Sequence, residues 1–254
     1  MRATVLGRQA ALCCCVLLLG CLAAYAQASP PLITDDTGTP GPNRWEINIG
    51  ATNEEVMAAH IYEAPILDMN YGIGRYVELT YEVPWTVRST GSVTLEAGIG
   101  DSVLACKWRF LDQHKHGLSI STYPQFAFNT RQASVYRGLV EPGKQLYLPL
   151  EMGHDFGFLE LNGEAGYNIE FAGADEWAGG LSAAVPAGRR LTLLGEVHAT
   201  TSTSFGVARS VADGGGTLKL SKVVTVLLMA GHRLRGGDQN VPRVFGYLGL
   251  QFHF

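Results

Sequence analysis

The sequence predicts an all-β protein, an antiparallel transmembrane β-barrel of about twelve strands. Three observations carry that prediction. From residue 44 onward, apolar and polar residues alternate with period two, as the two faces of a strand require. The longest apolar run after the first 28 residues, "VVTVLLMAG" (Val223 to Gly231), falls well short of the ~18 residues a membrane-spanning helix needs. The chain also ends on "GYLGLQFHF", with Leu248, Leu250, Phe252 and Phe254 on one apolar face up to the last residue. In hydrocarbon only helices and closed barrels satisfy their backbone, so a helix-poor chain that enters lipid does so as a barrel.

The chain begins with a segment to be set aside. Arg2 and Arg8 precede the apolar stretch "QAALCCCVLLLGCLAA", and "AQA" at Ala26 to Ala28 supplies small residues for cleavage. Residues 1–28 are therefore expected to be a signal peptide, implying export. The rival reading is lipidation of Cys21 in "LLGC". Cleavage after Ala28 removes four of the five cysteines and leaves Cys106 alone, so no intramolecular disulfide and no cysteine-rich metal site is expected. It also removes Arg2 and Arg8, making the remainder more acidic than the whole chain's −4. That balance argues against a nucleic-acid partner, which needs concentrated basic surface. Residues 29–43 read as a Pro/Gly-rich leader tucked against the periplasmic mouth, and 44–254 as one barrel domain without a linker.

Strands are expected over 44–51, 58–71, 75–88, 101–110, 117–130, 144–153, 158–171, 176–186, 189–200, 205–220, 222–234 and 243–254. The first carries Trp45 and Glu46. The second changes phase near Pro65, which reads as a bulge or edge feature. In the third, Val77, Leu79, Tyr81, Val83, Trp85 and Val87 oppose Glu78, Thr80, Glu82 and Thr86. The fourth sets Cys106, Trp108 and Phe110 against Lys107 and Arg109. Leu146, Leu148, Leu150 and Met152 oppose Gln145, Tyr147 and Glu151, and Leu159, Leu161, Ala165 and Phe171 oppose Glu160, Asn162 and Glu164. Leu191, Leu193 and Val197 oppose Thr192, Glu196 and His198. The segment 205–220, with "DGGG" at Asp213 to Gly216, is the weakest strand, and 222–234 is apolar on both faces. "LDQHKHG" and "NTRQASVYRGLVEPG" read as turn clusters.

Period two alone also fits a soluble β-sandwich. The barrel is favoured because six or seven apolar residues share a face on two strands, where sandwich strands typically have 5–6 residues in all. Aromatics (Trp45, Tyr71, Trp85, Phe110, Phe126, Phe128, Phe171) also lie near the ends of apolar faces, as interfacial girdles do. The last strand resembles the C-terminal signature of bacterial outer-membrane barrels. That likeness implies that Leu248, Leu250, Phe252 and Phe254 form an assembly signal read by the barrel-assembly machinery, with outer-membrane lipid as the surroundings.

If apolar faces meet lipid, polar faces meet the lumen. The expected lumen-lining residues are Glu46, Asp68, Glu78, Glu82, Lys107, Arg109, Tyr123, Tyr147, Glu151, Glu160, Glu164, Glu196, His198 and Tyr247. Their acidic excess would bias an open pore towards cations. Alternatively, charges of both signs pair and fill a small barrel, leaving it plugged. No cofactor is expected. Catalysis is the weakest reading, since neither G-x-S-x-G nor H-E-x-x-H occurs; Glu196 and His198 alone could form an acid–base pair. "TDDTG" (Thr34 to Gly38) reads as a turn rather than a metal site, and His114 and His116 as loop residues.

Several stretches together resemble one family. "PLITDDTGTPGPNRWEIN" (Pro31 to Asn48), "LDMNYGIGRYVELTYEVPW", "GIGDSVLACKWRFLD", "STYPQFAF" and "GYLGLQF" are similar to outer-membrane transporters named after the meta-pathway of phenol degradation. The resemblance implies a barrel in the bacterial outer membrane taking up aromatic or apolar compounds. The expected function is thus a channel or transporter for small molecules. The alternatives are a non-transporting structural or lipid-anchored envelope β-protein and, third, a barrel-embedded hydrolase.

Overall fold

The computed structural model describes residues 31–56, 59–90, 94–206, 208–236 and 242–254. The expected signal peptide, with Cys21, and the first two leader residues lie outside these.

The strands are β1 (Trp45–Val56), β2 (Ala59–Ile73), β3 (Val77–Thr90), β4 (Thr94–Ile99), β5 (Asp101–Leu111), β6 (Ser119–Thr122) and β7 (Gln125–Asn129). They continue with β8 (Lys144–Asp155), β9 (Glu160–Glu170), β10 (Glu176–Pro186), β11 (Leu191–Ser202), β12 (Ala208–Lys219), β13 (Val224–Arg235) and β14 (Val244–His253). Two single helical turns, α1 (Gln113–His116) and α2 (Gln132–Tyr136), lie in connections. Every pairing is antiparallel and joins segments next to each other or one apart in sequence, except that β14 pairs with β1, from Glu46↔His253 to Glu55↔Val244. Trp45 and Phe254 exchange backbone hydrogen bonds at 3.2 and 3.0 Å. Closure pairs the first strand with the last, so neither of them is a sheet edge.

Two barrel strands are each broken in two, so fourteen segments make twelve strands. β4 and β5 both pair with β3, and β6 and β7 both bridge β5 to β8. The first break falls at Gly100, where a Cβ would overlap the Thr86 hydroxyl. The second falls at Tyr123-Pro124, where proline has no N–H for the ladder; its carbonyl still accepts from Cys106 N at 3.1 Å. In β2 the register slips between Glu63 and Ile66, around Pro65. The slip restores phase, so Glu63 and Asp68 face the same side.

Some sequence expectations need correction. β1 runs to Val56 rather than ending at 51, and 94–99 is a strand where none was expected. The glycine-rich segment around Asp213 is a strand as expected, the full-length β12, zipped between β11 and β13. The ambiguous β13 settles with Leu227 and Met229 inward and Leu228 outward.

The two faces of the wall decide between barrel and sandwich. Outward apolar side chains stand bare: Leu181 is 73% exposed, Leu248 57% and Leu150 50%. Buried polar and charged side chains outnumber buried apolar ones, the reverse of a sandwich core. Such a wall belongs in hydrocarbon, with a polar interior. Aromatic pairs mark both rims. Trp45–Tyr71, Trp108–Phe110 and Phe252–Phe254 lie at the end carrying the barrel's termini and short turns, here the turn end. Phe126–Phe171 and Tyr167–Trp177 lie at the opposite, loop end, which holds the long connection 130–143.

Candidate functional site

The leader is not tucked against a mouth; it runs inside the barrel. It leaves the wall at Arg44, where Asn43 N donates to Gly72 O at 2.9 Å. A Cβ on Gly72 would overlap the Gly41 carbonyl, so the crossing needs glycine there. Gly41 itself turns at φ 89°, a left-handed conformation that glycine adopts at little cost.

A segment without secondary structure must find partners for its backbone groups elsewhere. The lumen wall supplies them. Arg109 Nη1 donates to Thr37 O at 3.5 Å and Lys107 Nζ to Asp36 O at 2.7 Å. Asp35 N donates to Glu164 Oε2 at 3.1 Å, and Gln125 Nε2 donates to Asp35 Oδ2 at 2.9 Å. Ile33 N and Thr34 N each donate to one oxygen of Glu196, both at 2.7 Å. Hydrogen bonds to an ionised partner are roughly twice as strong as neutral ones. Within the leader, Gly38 N donates to Asp36 Oδ1 at 2.5 Å, so "TDDTG" does form the expected turn. Leu32 then packs against an apolar cluster of Val211, Leu227, Met229, Phe245 and Tyr247.

Lys107 is the hub of this arrangement. Its fully buried ammonium lies 3.9 Å from Glu151 Oε2, 4.0 Å from Asp35 Oδ1 and 4.5 Å from the Tyr123 ring centroid. Ser121 Oγ donates to Glu151 at 2.5 Å, and Tyr147 Oη donates to Glu164. Asp35, Glu151 and Glu164 bring carboxylate oxygens within 4.8 Å of one another, an acidic knot that Lys107 partly neutralises. A second network joins the turn-end half of β1 to β3. Asn48 and Asn70 donate to Asp68 Oδ2 at 2.8 and 3.0 Å, Thr80 donates to Asn70 at 2.7 Å, and Thr80 and Tyr123 share a 2.7 Å hydrogen bond.

The structure places the sequence-derived lumen residues as follows. Glu46, Asp68, Glu78, Lys107, Tyr123, Glu151, Glu164, Glu196 and Tyr247 are buried inside the barrel. Glu82, Arg109, Tyr147, Glu160 and His198 lie on the same inner wall, partly exposed. Leu248, Leu250 and Phe252 lie on the outer face of β14, and Phe254 follows it, exposed. Glu196 and His198 are not joined by a hydrogen bond among the described residues; both Glu196 oxygens accept from the leader. His114 and His116 sit exposed on α1.

Sequence reading missed Glu54, Glu63 and Gln125. Glu54 extends the inward series Glu46, Asn48, Gly50, Thr52 and was lost when β1 was ended early. Glu63 was obscured by the bulge. Together with Asp68, Glu82, Val211, Met229 and Phe245 they line a cavity of about 510 Å³ in the loop-end half of the lumen, roofed from the turn end by Pro31, Leu32 and Ile33. A smaller cavity of about 230 Å³ lies across the leader, against Tyr147, Glu164 and His198.

No protein-family model matches the chain, and no curated protein matches it either. Among solved structures it is similar to an outer membrane channel from Pseudomonas putida F1, with a TM-score of 0.64 at 10% identity, covering 92% of this chain and 99% of that one. It is also similar to NanC porin (TM-score 0.56, 8% identity, 81% and 98% covered) and KdgM porin (0.55, 12%, 82% and 99%). A second KdgM structure is a complex with disordered oligogalacturonate. At these identities the likeness is one of architecture: the chain has the closed antiparallel barrel fold of outer-membrane channels and porins.

Proposed function

We propose that the protein is an outer-membrane channel for small molecules in which residues 31–43 act as a movable plug. The observation that carries this is a polar lumen, open as a cavity towards the loop end, crossed by a segment held through hydrogen bonds rather than as part of the wall. Short turns face the periplasm and long loops the outside in barrels of this kind, which puts the plug on the periplasmic side. The bare apolar wall supports outer-membrane lipid as its surroundings. The exposed face from Leu248 to Phe254 supports recognition by the barrel-assembly machinery. Residues 1–28 serve as the export signal in this reading. The resemblance to the phenol meta-pathway transporters supports aromatic or apolar cargo, and the fold of the similar channels supports transport over catalysis.

The test is conductance in planar bilayers. Purified full-length protein should conduct weakly, and a variant lacking residues 31–40 should conduct far more. A deletion variant that folds and still passes no ions would overturn the proposal and favour a structural barrel.

A further inference from the structure

The loop-end cavity has an unusual charge balance. Glu54, Glu63, Asp68 and Glu82 line it, yet no Lys, Arg or His does among the described residues. Lys107, the nearest hub of positive charge, is engaged below by Glu151, Asp35 and the Asp36 carbonyl. Glu54 and Glu82 make no hydrogen bond or ion pair among the described residues. Asp68 is only 3% exposed, and its Oδ1 has no hydrogen-bond partner although the residue borders the cavity. A buried carboxylate oxygen without a partner is costly unless something supplies a donor.

The wall beside Glu54 turns apolar, since Phe245 on β14 is its direct cross-strand neighbour. Val211, Met229 and Phe245 present a surface on which an aromatic ring can stack or meet a thioether. The volume of about 510 Å³ lies within the usual range for small-molecule sites. An ammonium offers three donors and no acceptor, matching a wall of acceptors. A carboxylate cargo would meet five acidic side chains there, since Asp35 also lines the cavity.

We infer that this cavity is a binding site for small organic cations with an apolar, ring-sized body, such as arylalkyl amines in their ammonium form. The amine contacts Glu54, Glu63, Asp68 and Glu82, and the ring lies on Met229 and Phe245. The inference rests on the channel reading for its role in transport, but the site itself requires only the cavity. It sets this lumen apart from one suited to a polyanion such as oligogalacturonate.

Binding is measured on the full folded protein in detergent by calorimetry, with three probes of similar size: 2-phenylethylammonium, 2-phenylethanol and 3-phenylpropionate. The cation should bind, the alcohol at least about tenfold more weakly, and the anion not detectably, as removal of one close charge attraction in a partly dry site implies. Glu63→Gln/Glu82→Gln should weaken the cation about tenfold while leaving the heat-modifiable band of the folded barrel unchanged. Met229→Lys, which supplies an internal ammonium, should abolish binding and serves if the double variant misfolds. Equal binding of cation and alcohol, or of cation by wild type and a folded double variant, would overturn the inference. Cation binding by a barrel that never conducts would instead leave the site standing and remove the channel reading. Conductance without any cation binding would do the opposite.

Discussion

The two halves of the lumen are built on opposite principles. In the turn-end half, carboxylates are gathered around donors. Glu151 has Lys107 and Ser121, Glu164 has Tyr147 and a leader N–H, and Glu196 has two leader N–H groups. In the loop-end half, Glu54 and Glu82 face a cavity lined by no Lys, Arg or His among the described residues, and neither makes a hydrogen bond or ion pair there. The same residue type therefore does two jobs. Below, acidic side chains are structural acceptors that fasten the leader; above, they leave an attractive field for whatever enters. A plugged lumen and a cation-selective lumen are alternatives in the sequence; in the structure the leader is fastened in the turn-end half, and a cavity with acidic side chains remains in the loop-end half.

The largest effect should come from removing the leader. Deletion of residues 31–40 strips the acceptors Glu164 and Glu196 of their backbone donors and opens the turn-end half, so single-channel conductance should rise more than with any point change. A smaller step in the same direction is Gly180→Val. A side chain at Gly180 would overlap the Thr34 hydroxyl, so this change should displace the leader while leaving the wall's pairing intact. A cysteine placed at Ile33 in a Cys106→Ala background should then react faster with a water-soluble thiol reagent added from the loop end.

Next in size is Lys107→Met. Removing one partner of a buried ion pair leaves Glu151 and Asp35 uncompensated and typically costs about 3–5 kcal/mol. The midpoint of thermal unfolding in detergent should fall accordingly. Glu82→Gln removes no partner and should shift stability by no more than about 0.5 kcal/mol. Equal losses for the two variants would erase the distinction between the halves. The smallest effect concerns selectivity. Glu78→Gln, Glu82→Gln and Glu164→Gln together should reduce cation preference in reversal-potential measurements, most clearly below 0.1 M salt, where the Debye length exceeds ~10 Å.

Much of the barrel was legible because each strand faces lipid on one side and polar groups on the other, so period two writes the fold into the chain. Leu161 opposite Asn162 and Leu148 opposite Tyr147 are examples, and Pro65 marked the bulge in β2 correctly. What escaped notice has physical causes. β4 pairs only with the loop-end part of β3 and is severed from β5 at Gly100, so its short pattern looked like a connection. The leader's path left no signal at all. It is fixed by backbone N–H groups meeting carboxylates more than a hundred residues away, and backbone groups are the same in every sequence. Its glycines and prolines marked it as irregular, but only the barrel around it could say where it lies.

The central claim, that the leader blocks the lumen and must move for conduction, can be tested by fastening it. A Cβ built at Gly180 lies 3.1 Å from Thr34 Cβ, close enough for a disulfide after slight adjustment, since bridged Cβ atoms are typically ~3.5–4.5 Å apart. The variant Thr34→Cys/Gly180→Cys, in a Cys106→Ala background, would be recorded in a planar bilayer before and after reduction. The plug proposal requires low conductance while oxidised and a clear rise once the reductant breaks the bridge. Identical conductance in both states, with the bridge verified on a gel, would contradict it.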